Sequence, residues 1–214
     1  MLCGHERETT MSAVLKPPRF ASAEEYLAWD ELQPGRHEYV GGEVYSMVGA
    51  RLTHNTISGN AYIWLRQALK GTPCRVYSLH AKLRLQESDD HVYPDVMVTC
   101  DPRDLPGEED RFIRHPWLVV EVLSDSTAAH DRGQKFELYR GIDTLTHYLL
   151  VEQDRPHADL FFKNPLGQWV LQPLAPGDSM QIAQLGAPWP LQSLFDEVDF
   201  SVWPPAPGPF SPPG

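Results

Sequence analysis

The chain has 214 residues, enough for one domain whose core hides roughly 70% of the surface its unfolded form exposes, and too few for a second full domain. A hydrophobic fraction of 42% and six tryptophans fit a soluble globular protein, and no apolar run approaches the roughly 20 residues needed to span a bilayer. The formal net charge of -11 excludes a protein that coats nucleic acid through bulk electrostatics, although carboxylates gathered to hold divalent cations would themselves make the count more negative.

In chain order, residues 1–18 read as a flexible leader. No long apolar segment follows a basic one there, so a secretory signal is not expected and a cytoplasmic location follows. Cys3, Cys74 and Cys100 are odd in number, widely separated and never in a CxxC arrangement. They are expected to be reduced, without a structural zinc. "SAEEYLAWDEL" places Glu25 three residues after Ser22, the capping-box signature of a short helix. "HEYVGGEVYSMV" reads as a β-hairpin turning at Gly41 and Gly42. "THNTISGNAYIWLRQALKG" puts Ile57, Ala61, Trp64, Leu65, Ala68 and Leu69 on one helical stripe, with Thr53 as the expected N-cap and Gly71 as the stop.

Four extended segments follow: "CRVYSL", "AKLRLQ", "VYPDVMVTC" and "WLVVEVLS". Between the last two, residues 101–115 form a long polar loop, expected to be a flap or partner surface. A second helix is expected over about 127–140, with Ser126 and Thr127 as caps. The strand "THYLLVEQ" and a hairpin of "ADLFFKN" and "QWVLQPL" come next, and residues 203–214 are a Pro-rich tail. The pattern predicts an α/β fold over 19–202, a mixed sheet flanked by helices with additional β-hairpins. Architecture alone assigns no activity.

The chemistry begins with Glu121, the fourth member of the otherwise apolar run Leu118 to Val122. An ionised carboxylate in an apolar interior needs a cation, a donor network or a bound proton. Asp95, after Pro94 at the head of another strand, can meet it if the two strands are neighbours. Two bare charges about 4 Å apart repel by about 4 kcal/mol at an effective dielectric of 20, and a divalent cation turns that penalty into attraction. All-oxygen ligands suit Mg2+ or Mn2+ better than zinc. Leu123 shares the face of Glu121 and cannot supply a cation, so the next lysine, Lys135 on the following helix, becomes the candidate. Its ammonium would orient a water or neutralise charge developing on a phosphate.

Asp95, "VVEVLS" with Glu121, "ST" at 126–127 and "DRGQKFELY" with Lys135 resemble the Uma-two family of nucleases in the PD-(D/E)XK superfamily. The "EYVGGEV" hairpin, His54 and "HYLLVEQ" extend the resemblance over residues 20 to about 195. It implies a restriction-endonuclease-like core, Mg2+ at Asp95 and Glu121, and a lysine moved from strand to helix. It also makes Glu38 a candidate third acidic ligand, a homodimer plausible and DNA the expected substrate of an endonuclease.

Plainer readings stand beside these. Glu121 can sit in an internal salt bridge, Lys135 can pair with Asp131 four residues away, Glu38 can be a surface strand residue, and His54 can be structural rather than a donor or base. His37 and Glu38 are no zinc-protease start, because Gly41 stands where a second histidine is required. The alternative function is a catalytically silent binding or scaffold protein that keeps the nuclease fold. A hydrolase of another phosphate ester comes third.

Overall fold

The computed structural model describes residues 18–47, 49–78, 80–85, 87–104, 111–124 and 127–202. The expected leader, apart from Pro18, the Pro-rich tail and the capping Ser126 lie outside the described residues. Among the described residues no helix is long and apolar enough to cross a membrane.

Helix α1 (Ala23–Asp30) starts as its capping box requires. Ser22 accepts from the Glu25 N–H at 3.3 Å, and the Glu25 carboxylate reaches back to the Ala21 N–H at 3.1 Å. Strands β1 (Arg36–Val40) and β2 (Glu43–Met47) form the expected hairpin. Gly41 and Gly42 turn it with φ of 59° and 84°, a region costly for residues with a Cβ. Helix α2 (Leu52–Ala68) buries Ile57, Ala61 and Leu65 completely. It starts earlier than expected. Arg51 is the N-cap, with no side-chain capping bond, and Thr53 is already helical, so His54 is the third helical residue instead of the first.

Among the described residues the expected mixed sheet is joined by a second, smaller sheet that contains the β1–β2 hairpin. The larger joins β3 (Arg75–Ser78), β6 (Val96–Thr99), β8 (Leu118–Leu123), β9 (His147–Glu152), β10 (Ala158–Lys163) and β11 (Trp169–Leu174) in the order β11-β10-β9-β8-β6-β3. Only β8 and β9 are parallel there, linked by the second helical region, as a crossover requires. The smaller runs β2-β1-β5-β4-β7, with β4 (Lys82–Arg84), β5 (His91–Val92) and β7 (Phe112–Ile113). A short ribbon of β12 (Ser179–Met180) and β13 (Trp189–Pro190) completes the set.

Alternation along the strands of the larger sheet divides the core. Val96, Val98, Leu118, Val120, Val122, Leu149 and Val151 pack with Ile57, Ala61 and Leu65 of α2. On the other face, Met97, Val119, Leu123, Tyr148 and Leu150 pack with Val40, Leu83, Val92 and Ile113 of the smaller sheet. By the same alternation Glu121 and Asp95 belong to this second face, between the two sheets.

The helical region predicted for 127–140 comprises α3 (Ala128–His130), a π-helical turn (Asp131–Lys135) and α4 (Phe136–Arg140). The loop of 101–115 is structured at both ends. Pro102–Asp104 is a 3-10 turn, and Phe112–Ile113 is β7, parallel to β4. Fully buried Asp104 ties the ends together, accepting from Thr99, from the N–H groups of Arg114 and His115, and meeting the His115 ring.

The reading of all cysteines as reduced is corrected, because Cys74 and Cys100 form a disulfide. Spacing in sequence concealed this. The antiparallel register pairs Arg75 with Thr99, so the next pair outward is Cys74 opposite Cys100.

Candidate active site

Lys135 lies at the centre of a buried acidic cluster. Its Nζ is 3.0 Å from Glu38 Oε1, 3.2 Å from Glu121 Oε1 and 3.4 Å from Asp131 Oδ1. These four side chains are only 3–7% exposed. β1 delivers Glu38 from the smaller sheet and β8 delivers Glu121 from the larger. Both carboxylates have further donors. Glu38 Oε1 accepts from the Tyr93 N–H at 2.9 Å, and Glu121 Oε1 accepts from the Tyr139 hydroxyl at 2.8 Å.

The π-helical turn explains how one helix supplies three members of this cluster. In a regular α-helix residues four apart drift by about 40°, so two such steps would spread Asp131, Lys135 and Tyr139 across about 80°. An i→i+5 turn holds more than four residues, so the first step falls back instead of advancing. All three side chains then face inward and are buried. Gly133, in the middle of the turn, has nothing within 4 Å of where a Cβ would project.

Asp95 stands at the edge of the cluster. Continuing the Val96–Val120 register places it opposite Glu121, and its Oδ2 accepts the Val122 N–H at 2.7 Å. His54 reaches the same oxygen with Nε2 at 3.2 Å. Burial acts to lower the His54 pKa, but bonds to Asp95 and the Val122 backbone outweigh it and the net direction is upward. His54 is thus held by the acidic site.

Burial drives the Glu121 pKa well above the carboxylate range, with Asp131, Asp95 and Glu38 pushing the same way against the pull of Lys135. Asp131 is raised mainly by burial. For Lys135 burial acts downward, yet Glu121, Glu38 and Asp131 hold its proton more firmly than usual. The two directions agree, since one ammonium cannot neutralise three carboxylates.

All four sequence-derived candidates, Asp95, Glu121, Lys135 and Glu38, fall in or beside this region. Leu123, where a strand lysine would stand, packs in the core, and Lys135 fills the space beside Glu121. Asp131 appeared in the sequence only as a helix-surface partner of Lys135, whereas it is 2% exposed. Tyr139 was missed. Its only signal is the i, i+4, i+8 spacing of Asp131, Lys135 and Tyr139, which the π-turn makes hard to see. A cavity of about 260 Å3 beside Glu87, Arg103, Arg114, Glu137 and Asp143 includes no residue of the cluster.

Among the described residues no three His, Cys, Asp or Glu side chains converge as a ready-made metal centre. The charge balance nevertheless fits a cation. Three carboxylates meet one ammonium with Asp95 at their edge, and the ammonium is 3.4 Å from the buried Asp131 Oδ1, a long contact that leaves this oxygen short of a full hydrogen bond.

Residues 23–194 match the Uma2 family, described as "Putative restriction endonuclease". The chain belongs to that family. Two Synechocystis relatives match it along most of their own length. "Uncharacterized protein slr1290" is 37% identical over 179 residues, 84% of this chain and 93% of the relative, and "Uncharacterized protein sll1609" is 30% identical over 169 residues, 79% and 95% respectively. The crystal structure of "a putative nuclease belonging to DUF820" from Anabaena variabilis shares the fold, with a TM-score of 0.66 over 81% of this chain and 97% of that one. Its sequence is 16% identical.

Proposed function

We propose that this Uma2 protein is a Mg2+-dependent nuclease that hydrolyses DNA phosphodiester bonds. The observation carrying the reading is that Lys135 arrives from the helix beside Glu121 at 3.2 Å, in a buried cluster flanked by Asp95. Family membership supports a nuclease-like activity.

Asp95 and Glu121 are the proposed cation ligands, and a hard divalent ion there would supply Lewis-acid stabilisation of phosphate charge. Glu38 and Asp131 fix the lysine. Held at 3.0 and 3.4 Å from these two carboxylates, the ammonium is pre-placed to donate a hydrogen bond to the attacking water or a phosphate oxygen. Tyr139 holds Glu121 in position by its 2.8 Å bond. The two sheets bury the cluster and limit water, which strengthens each of these interactions.

The test incubates purified protein with plasmid and single-stranded DNA, with Mg2+ or Mn2+ and with EDTA. Cleavage that requires the cation and is lost in Asp95→Ala and Glu121→Ala supports the proposal. Equal activity of both variants and the parent overturns it. Absence of cleavage together with no heat of Mg2+ binding would favour a silent binding protein, a reading to which the lack of a ready-made metal centre lends weight.

A further inference from the structure

Tyr45 stands out among the exposed side chains. Scattered exposed aromatics need no explanation, but this one is tied to the cluster by two independent routes. Across the β1–β2 pair Tyr45 is directly opposite Glu38, so the two side chains leave the same face of the smaller sheet. From the other direction, its ring lies 5.7 Å from the ring of His130, the residue preceding Asp131. Glu38 and Asp131 are the carboxylates that grip Lys135.

The ring is also presented openly. Tyr45 is 38% exposed, and its strand forms one edge of the smaller sheet. Its hydroxyl is already occupied by Glu43 Oε2 at 3.1 Å, and the imidazole of His130 backs it at a tilt of 36°. What remains is a flat, neutral, supported π-surface at the margin of an acidic site. Such a surface suits the face of a base, because stacking needs no charge complementarity and tolerates any sequence.

We propose that Tyr45, backed by His130, is a stacking platform for an unpaired nucleobase next to the bond to be cut. The substrate class is then DNA with an unstacked base at the scissile position, such as single strands, flaps or frayed ends, rather than continuous duplex. In a duplex the base lies inside the stack, and extracting it costs unstacking and unpairing energy. This inference rests on the nuclease reading and deepens it.

The test measures fluorescence anisotropy of short oligonucleotides, single-stranded and duplex, with the parent protein, Tyr45→Ala and Tyr45→Trp. Ca2+ replaces Mg2+ so that binding is read without cleavage. Tyr45→Ala is expected to weaken single-strand binding about tenfold, to leave duplex binding unchanged, and to be rescued by Tyr45→Trp. An abasic nucleotide at one position should weaken the parent by the same factor and Tyr45→Ala no further. Single-strand affinity of Tyr45→Ala equal to the parent, or an equal loss on both substrates, overturns the platform. If the parent cuts DNA and Tyr45→Ala binds as the parent does, only the platform fails. If the parent neither binds nor cuts any DNA, the nuclease reading fails and the platform with it.

Discussion

Replacing Lys135 by methionine removes the ammonium while keeping most of the side-chain volume, and leaves Glu38, Glu121 and Asp131 without their common partner. At an effective dielectric of 20, each contact of 3.0–3.4 Å amounts to about 5 kcal/mol of attraction, offset by desolvation and by repulsion among the carboxylates. Removing one partner of a buried ion pair costs about 3–5 kcal/mol net. For a chain of this size that lowers Tm by about 10 °C near neutral pH. The loss should depend on pH. Glu121 and Asp131 already have raised pKa values, and without the ammonium they rise further. A carboxyl group whose pKa is raised by folding costs stability when ionised, and the cost fades as pH falls toward the unfolded value of about 4. Thermal melts of the parent and Lys135→Met should therefore differ most at about pH 8 and converge toward about pH 5. The double variant Lys135→Met with Glu121→Gln should recover part of the loss. Equal melting temperatures at neutral pH, or a gap that fails to narrow in acid, would refute the account of the cluster.

Acid stability should depend on His91, which is fully buried with neither ring nitrogen hydrogen-bonded among the described residues. Burial, with Lys82 nearby, pushes its pKa down to about 4. The unfolded imidazole titrates at about 6.5, so this contribution is complete above that pH and is lost on acidification toward 4, on the order of 3 kcal/mol. His91→Phe should flatten the acid limb of a Tm–pH curve, and an unchanged limb would contradict this. Reducing Cys74–Cys100, which are 26 residues apart, should cost about 3 kcal/mol and lower Tm by about 10 °C. Thiol titration of the unfolded, unreduced chain should find one free thiol among its three cysteines, and three would overturn the pairing.

The most informative sequence signal was a misfit. Glu121 stands in a run of apolar residues whose neighbours are all buried, so its own burial followed from the pattern, and burial of a carboxylate forces a partner. The α2 stripe and the Gly41–Gly42 turn were readable because period and backbone freedom are local properties. Register between distant strands is not local. The pairing of Cys74 with Cys100 and the meeting of Glu38 with Lys135 follow from which strands pair and how the two sheets pack. Asp131 and Tyr139 stayed hidden for a third reason. An α-helical wheel over 127–140 assigns them diverging directions, and only the π-turn brings them together.

That turn is also where the segment can absorb a change of one residue in its length. Deleting exposed Gly133 would remove the carbonyl that accepts the Phe136 N–H, yet it would let 3.6-residue winding resume with Asp131, Lys135 and Tyr139 spaced i, i+3, i+7, within about 60° of one another. Lys135 and Tyr139 would keep to the face of Asp131. A one-residue deletion at the turn should therefore be tolerated better than one between Lys135 and Tyr139, where regular winding has no extra residue to give up and Tyr139 would swing by about 100°.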